Sequence, residues 1–180
     1  KLSIAESRVI TRGGKRIGYI YISGFFDPIG FDFLKELLNI NKPDIWALFD
    51  LYNDPDVKKT KELFSKQELD GIILDFRGNP GGFLSFLYIM MGLVLEGDKP
   101  IVTLQGNEDQ DPWKGLENGE QKLTTPPAAM MEAIAKFTGG RFPITEVPMA
   151  VLIDGRSGSA SEIASSALQE NGRATVVGTK

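Results

Sequence analysis

Apolar positions in this chain come as short unbroken runs separated by helical stripes, and that alternation sets the expected architecture. Residues 16–23 (RIGYIYIS) alternate apolar and aromatic side chains at the two-residue period of a strand. Residues 71–76 (GIILDF) and 151–153 (VLI) are continuous apolar runs of the kind buried inside a parallel sheet. Shorter runs at 101–104 and 174–177 predict further strands. Phe31, Phe33, Leu34, Leu37 and Leu38 share one side of an amphipathic helix over 31–40. Residues 83–95 (FLSFLYIMMGLVL) are almost wholly apolar and predict a buried helix. Another helix starts at Pro126-Pro127, runs to Phe137 and is capped by Gly139-Gly140. Ile163, Ala164, Ala167 and Leu168 recur at helical spacing, and Asn171-Gly172 ends that segment as a C-cap pair. Strands alternating with helices predict an α/β fold with a largely parallel sheet.

Three stretches lack such patterning. Residues 3–14 are polar, ending in the turn signal Arg12-Gly13-Gly14. Residues 41–70 and 105–125 read as insertions or mobile loops. Lys58, Lys59 and Lys61 in the first form a solvated face rather than a binding patch. Glu108, Asp109 and Asp111 in the second lack the spacing of a calcium loop. Pro80-Gly81 fits the central pair of a type II turn, with Gly81 at the position that needs positive φ. Neither phosphate-binding glycine pattern is present there.

Composition narrows the chemistry. The 180 residues contain no His and no Cys, which excludes a Ser-His-Asp triad, a cysteine nucleophile and an imidazole or thiolate metal site within the chain. A net charge of −4, from 20 basic and 24 acidic residues, argues against a nucleic-acid surface. No apolar run is long enough to span a membrane, and no cofactor is expected. Lys1 in place of Met, and a strand stopping at Lys180, read as one domain, residues 1–180, cut from a longer protein.

Ser159 carries two readings. Ser159 and Glu162, ahead of an apolar-periodic run, form a capping box, with Ser159 as N-cap and Glu162 at N3. Equally, a serine on a strand-to-helix turn faces the positive helix end, where backbone N–H groups stabilise an oxyanion. The base for such a nucleophile is then a lysine kept neutral by burial, a carboxylate or a group from outside the chain.

The segments GIILDFRGNPGG at 71–82 and VLIDGRSGSASE at 151–162 together resemble those of the tail-specific, or C-terminal processing, serine peptidases. Residues 169–178 (QENGRATVVG) and 17–20 (IGYI) are similar to theirs as well. The resemblance implies an α/β fold of the Clp protease–crotonase type, built of repeated strand-strand-helix units. It puts the nucleophile on Ser159 rather than Ser157 or Ser161. The oxyanion hole then falls on the N–H of Ala160 and of a glycine in Gly81-Gly82, with Glu162 as a local organiser. It also implies a polypeptide substrate, an exported or cell-envelope location, and a substrate-binding PDZ module that would lie before Lys1. The family's base is a lysine in a Gly-Lys-Gly segment expected just past Lys180, so residues 1–180 alone are expected to be inactive. Two alternatives stay open: a non-catalytic peptide- or lipid-binding relative, and a crotonase-type coenzyme A enzyme.

Overall fold

The computed structural model describes residues 5–26, 69–106, 120–126 and 146–179. The helices expected at 31–40 and after Pro126, the lysines at 58–61 and the acidic residues at 108–111 lie outside them. In chain order the elements are β1 (Ala5–Arg12), β2 (Lys15–Ile22), β3 (Gly71–Asp75), α1 (Leu84–Gly92), β4 (Pro100–Gln105), β5 (Glu120–Thr124), β6 (Met149–Ile153), α2 (Ala160–Glu170) and β7 (Thr175–Gly178). Among the described residues one sheet has the order β1-β2-β3-β6-β7, and β4 pairs with β5 separately. β1 is antiparallel to β2, and the other neighbours in the large sheet are parallel. The α/β class with a largely parallel sheet is therefore observed.

Two strands went unpredicted. Residues 5–12 pair with β2 along their whole length, because Gly13 (φ 57°) and Gly14 (φ 74°) close a two-residue hairpin that brings them alongside. As an edge strand with Glu6, Thr11 and Arg12 exposed, β1 has no need of an apolar stripe. Likewise the 105–125 stretch ends in β5, whose polar residues are held by pairing to β4. The 83–95 run, expected to be buried throughout, is helical only over Leu84–Gly92 and buried mainly in its second half: Phe83 and Ser85 are exposed, while Leu93, Val94 and Leu95 continue buried beyond the helix.

The core rests on rows of side chains crossing the sheet. Ile20, Leu74, Val151 and Val176 are register partners on four successive strands, and the first three are fully buried. Leu87, Met90 and Met91 of α1 and Ala160, Ala164, Ala167 and Leu168 of α2 belong to the same cluster. Small residues along the buried face of α2 let that helix approach closely. The helix ends in a Schellman motif, with Arg173 N–H on Leu168 O at 2.8 Å and Gly172 N–H on Gln169 O at 3.0 Å. Arg173 Nε also donates to Val94 O at 2.8 Å, and Asn171 Nδ2 to Pro100 O at 2.9 Å.

Tyr19 OH donates to Asp75 Oδ2 at 2.6 Å, and Arg77 grips the same carboxylate through Nε and Nη2. Burial opposes the Asp75 charge, but the Arg77 fork, the Tyr19 hydroxyl and the Arg77 N–H together outweigh it and hold the carboxyl below its ordinary range. Among the described residues no helix is long and apolar enough to cross a membrane.

Leu74 lies on a central strand with no exposed surface. Leu74→Ala is expected to cost about 2–5 kcal/mol through lost transfer energy and a residual cavity. Thermal unfolding should show its midpoint falling by roughly 5–15 °C.

Candidate active site

β3 and β6 are parallel neighbours, so the loops at their C-terminal ends leave the same edge of the sheet. Five bonds then join the two loops. Phe76 N–H donates to Leu152 O at 2.8 Å, and Ser157 Oγ to Phe76 O at 2.8 Å. Gly78 N–H donates to Asp154 Oδ1 at 2.9 Å. Gly158 N–H and Ser161 Oγ both donate to the Asn79 carbonyl, each at 3.0 Å.

The first loop contains a turn three residues earlier than expected. Asn79 N–H returns to Phe76 O at 3.0 Å, with Gly78 at φ 74°. Gly81 does have the positive φ read from the sequence, at 104°, but its N–H goes to the Asn79 side chain, Oδ1, at 2.8 Å. The Asn79 carbonyl, which would close a type II turn at Pro80-Gly81, is instead taken by the second loop. Phe25, just past β2, brackets Gly82: its N–H donates to Gly81 O at 2.8 Å, and its carbonyl accepts Phe83 N–H at 2.7 Å. The N–H of Gly82 belongs to neither bond.

In the second loop Ser159 caps α2 with φ 51° and ψ −115°. Those angles are the first central position of a type II′ turn, ordinarily a glycine's. Ser161 N–H bonded to Gly158 O at 3.0 Å closes that turn. Ser159 is the one non-glycine residue with positive φ among the described residues. Such strain persists where the surroundings over-determine it, and it gathers at functional sites. Ser159 N–H donates to Glu162 Oε2 at 2.6 Å, the carboxylate half of the capping box. The cap and the strained serine are thus features of one turn.

The predicted residues meet here. A Cβ on Gly81 would stand 2.7 Å from Ser159 Cβ, 2.7 Å from Gly158 O and 2.8 Å from Ala160 N, so only glycine permits this approach. Gly82 has φ 144°, and its Cβ would strike the Phe25 carbonyl. The neighbouring serines are differently placed. Ser161 is buried with its hydroxyl on Asn79 O, and Ser157 donates to Phe76 O, whereas Ser159 is exposed. Among the described residues no lysine is bonded to the Ser159 hydroxyl, and no group of His, Cys, Asp or Glu is arranged to hold a metal.

Residues 16–180 match the profile of peptidase family S41. The chain belongs to that family. It is 27% identical over 165 residues to the carboxy-terminal processing protease CtpB of Bacillus subtilis, covering 92% of this chain and 25% of that one. It is 29% identical over 170 residues to a carboxyl-terminal-processing protease of Synechocystis, covering 94% of this chain and 29% of that one. The chain thus spans between a quarter and a third of the length of these relatives. The photosystem II D1 C-terminal processing protease shares the fold with a TM-score of 0.61 at 16% identity, over 98% of this chain and 36% of that one. A putative S41 protease from Bacteroides fragilis gives 0.52 at 20%, over 96% and 37%. Neither the binding-module nor the coenzyme A alternative is favoured by these matches.

The residues that sequence reading missed are the ones that hold the site: Asn79, Phe25, Asp154 and Ser161. Asn79 offered a signal, an amide side chain lodged between Gly78 and Pro80. Asp154 binds Gly78 N–H, the N–H of Arg156 and the Arg156 guanidinium. The Gly78 N–H above all, against some desolvation, brings the Asp154 carboxyl down to about 2.

Two tests follow from this geometry. Ser159→Gly and Ser159→Ala both remove the hydroxyl, but only glycine relieves the positive φ. The glycine variant should therefore be the more stable of the two by about 1 kcal/mol, read as a midpoint roughly 2–4 °C higher. For Asp154 a depressed pKa means its contribution to stability is complete above 3.8 and is lost as pH falls towards about 2. Thermal midpoints measured from pH 5 to 2 should fall more steeply for the wild type than for Asp154→Asn.

Proposed function

We propose that this chain is the catalytic core of a serine endopeptidase of the C-terminal processing type, acting on polypeptides through Ser159. The observation that carries the reading is the strained, exposed Ser159 pressed against Gly81 at the start of α2. In the proposed mechanism Ser159 Oγ attacks the scissile carbonyl carbon, and its proton passes to a lysine amine. The carbonyl oxygen becomes an oxyanion accepting from the N–H groups of Ala160 and Gly82. Ala160 N–H sits in the first turn of α2, whose positive end favours that charge. The C–N bond then breaks, the lysine ammonium protonates the leaving amine, and water hydrolyses the acyl-serine. Each donor contributes about 3 kcal/mol to the transition state.

Of the two glycines in the turn, Gly82 is the better donor, because Gly81 N–H is already held by Asn79. Glu162 serves as organiser by holding Ser159 N–H. The resemblance to the C-terminal processing peptidases assigns the base to a lysine just past Lys180, and the chain has no His to take that role. The same reading assigns the sheet to the Clp protease–crotonase type of repeated strand-strand-helix units, supported by the β3–β6–β7 order and the separate β4–β5 pair. It places the whole protein in the cell envelope or beyond, in keeping with its relatedness to bacterial processing proteases.

In the full-length protein Ser159→Ala should lower kcat on an unstructured peptide by about 10⁴-fold or more. The wild-type kcat/KM should rise with pH through an apparent pKa well below the ~10.4 of a free lysine. Full activity without the serine hydroxyl would return Ser159 to being a helix cap. A profile flat across neutral and alkaline pH would rule out the lysine base.

A further inference from the structure

Asn79 has no exposed surface, although it lies between exposed Arg77 and Pro80 in a loop. A buried amide is tolerated when its polar groups are satisfied, and here each polar atom has at least one partner. Its N–H donates to Phe76 O at 3.0 Å, and its carbonyl accepts from Gly158 N–H and Ser161 Oγ at 3.0 Å each. Its side chain donates from Nδ2 to Ile22 O at 2.9 Å and accepts Gly81 N–H on Oδ1 at 2.8 Å. Those partners belong to five different pieces: the end of β2, the residue that follows β3, the glycine run, the turn carrying Ser159, and the first turn of α2. One residue therefore fixes the glycine run relative to the serine.

We propose that Asn79 is a positioning residue for the oxyanion site, its Oδ1 holding Gly81 N–H so that Gly82 presents the second donor to the carbonyl attacked by Ser159. The inference rests on the peptidase reading above. Gly81 and Gly82 have φ of 104° and 144°, a stretch of backbone with no side chains of its own to fix it. The bonds that orient the Gly82 peptide are the Asn79 clamp on one side and the Phe25 pair around it. Removing the clamp frees Gly81 N–H and the Pro80–Gly81 peptide, leaving the Gly82 N–H held only through the bond of Phe25 N–H to Gly81 O in its own peptide plane. The ground-state substrate has no oxyanion, so the loss falls on the chemical step more than on binding.

The test uses full-length protein labelled with ¹⁵N-glycine and a peptide aldehyde as probe. Addition forms a bond from Ser159 Oγ to the aldehyde carbon, converts the carbonyl oxygen into the hemiacetal oxygen, and transfers the serine proton to the base. On forming this adduct the Gly82 amide proton should move downfield and become protected from exchange, while Gly81 stays as it was. A shift at Gly81 with none at Gly82 would overturn the assignment. In parallel, Asn79→Leu removes both side-chain bonds at similar volume, and Asn79→Asp keeps the acceptor for Gly81. Asn79→Leu should lower kcat by about 100-fold with KM within threefold, and with unchanged peptide affinity in a Ser159→Ala background. Asn79→Asp should recover at least part of that loss. A kcat within threefold of wild type in Asn79→Leu, or a loss carried wholly by KM, would refute the positioning role. Should Asn79→Leu not fold, Asn79→Ala is held to the same kcat and KM criteria. Failure of the aldehyde to modify Ser159 at all, seen by intact mass, would instead refute the peptidase reading, and the inference with it.

Discussion

Parallel pairing of β3 with β6 delivers two loops to one edge of the sheet, but it leaves them adjacent and uncoupled. The coupling comes from backbone and side-chain bonds that cross between the loops, centred on the Asn79 carbonyl and its two donors, Gly158 N–H and Ser161 Oγ. In a buried setting each unmade bond of this kind would carry a desolvation penalty of about 1–3 kcal/mol, so the set is strongly specified. Everything proposed for the site depends on that constraint. The contact of Gly81 with Ser159 Cβ and Ala160 N holds only if the loops keep this separation.

The constraint also explains how an unfavourable backbone conformation survives. A serine at φ 51° is disfavoured by about 1–3 kcal/mol relative to a relaxed residue. It is held from one side by the Ser161 N–H to Gly158 O bond and by Glu162 on its own N–H, and from the other by α2, anchored in the core through Ala164, Ala167 and Leu168. The helix cannot shift to relax the turn without withdrawing those side chains from the sheet. Stability in the core thus sustains strain at the edge.

Charge is arranged in the same spirit. β3 ends in Asp75 and β6 is followed by Asp154, and each aspartate is bound by the arginine two residues later, Arg77 and Arg156. Both arginines are largely exposed, so the ion pairs themselves add little. Their value lies in the backbone N–H groups that the carboxylates collect, Arg77 on Asp75 and Gly78 on Asp154, which fix the first residues of each loop.

Hydrophobic runs are one-dimensional signals, and they made the central strands, the buried helix and α2 legible from the sequence. Ser159, Ala160, Glu162, Gly81 and Gly82 were legible as two short motifs, since a serine before a helix and a glycine pair after a strand have local causes. β1 and β5 were not, because an edge or paired polar strand draws its order from a partner rather than from its own pattern. Nor could the sequence say that Asn79 would turn inward, that the turn would close at Gly78, or that Gly81 N–H would be taken by the Asn79 side chain. Those outcomes depend on residues some eighty positions apart competing for the same carbonyl and amide groups. Only the folded chain, which brings the ends of β3 and β6 together, decides which bonds form.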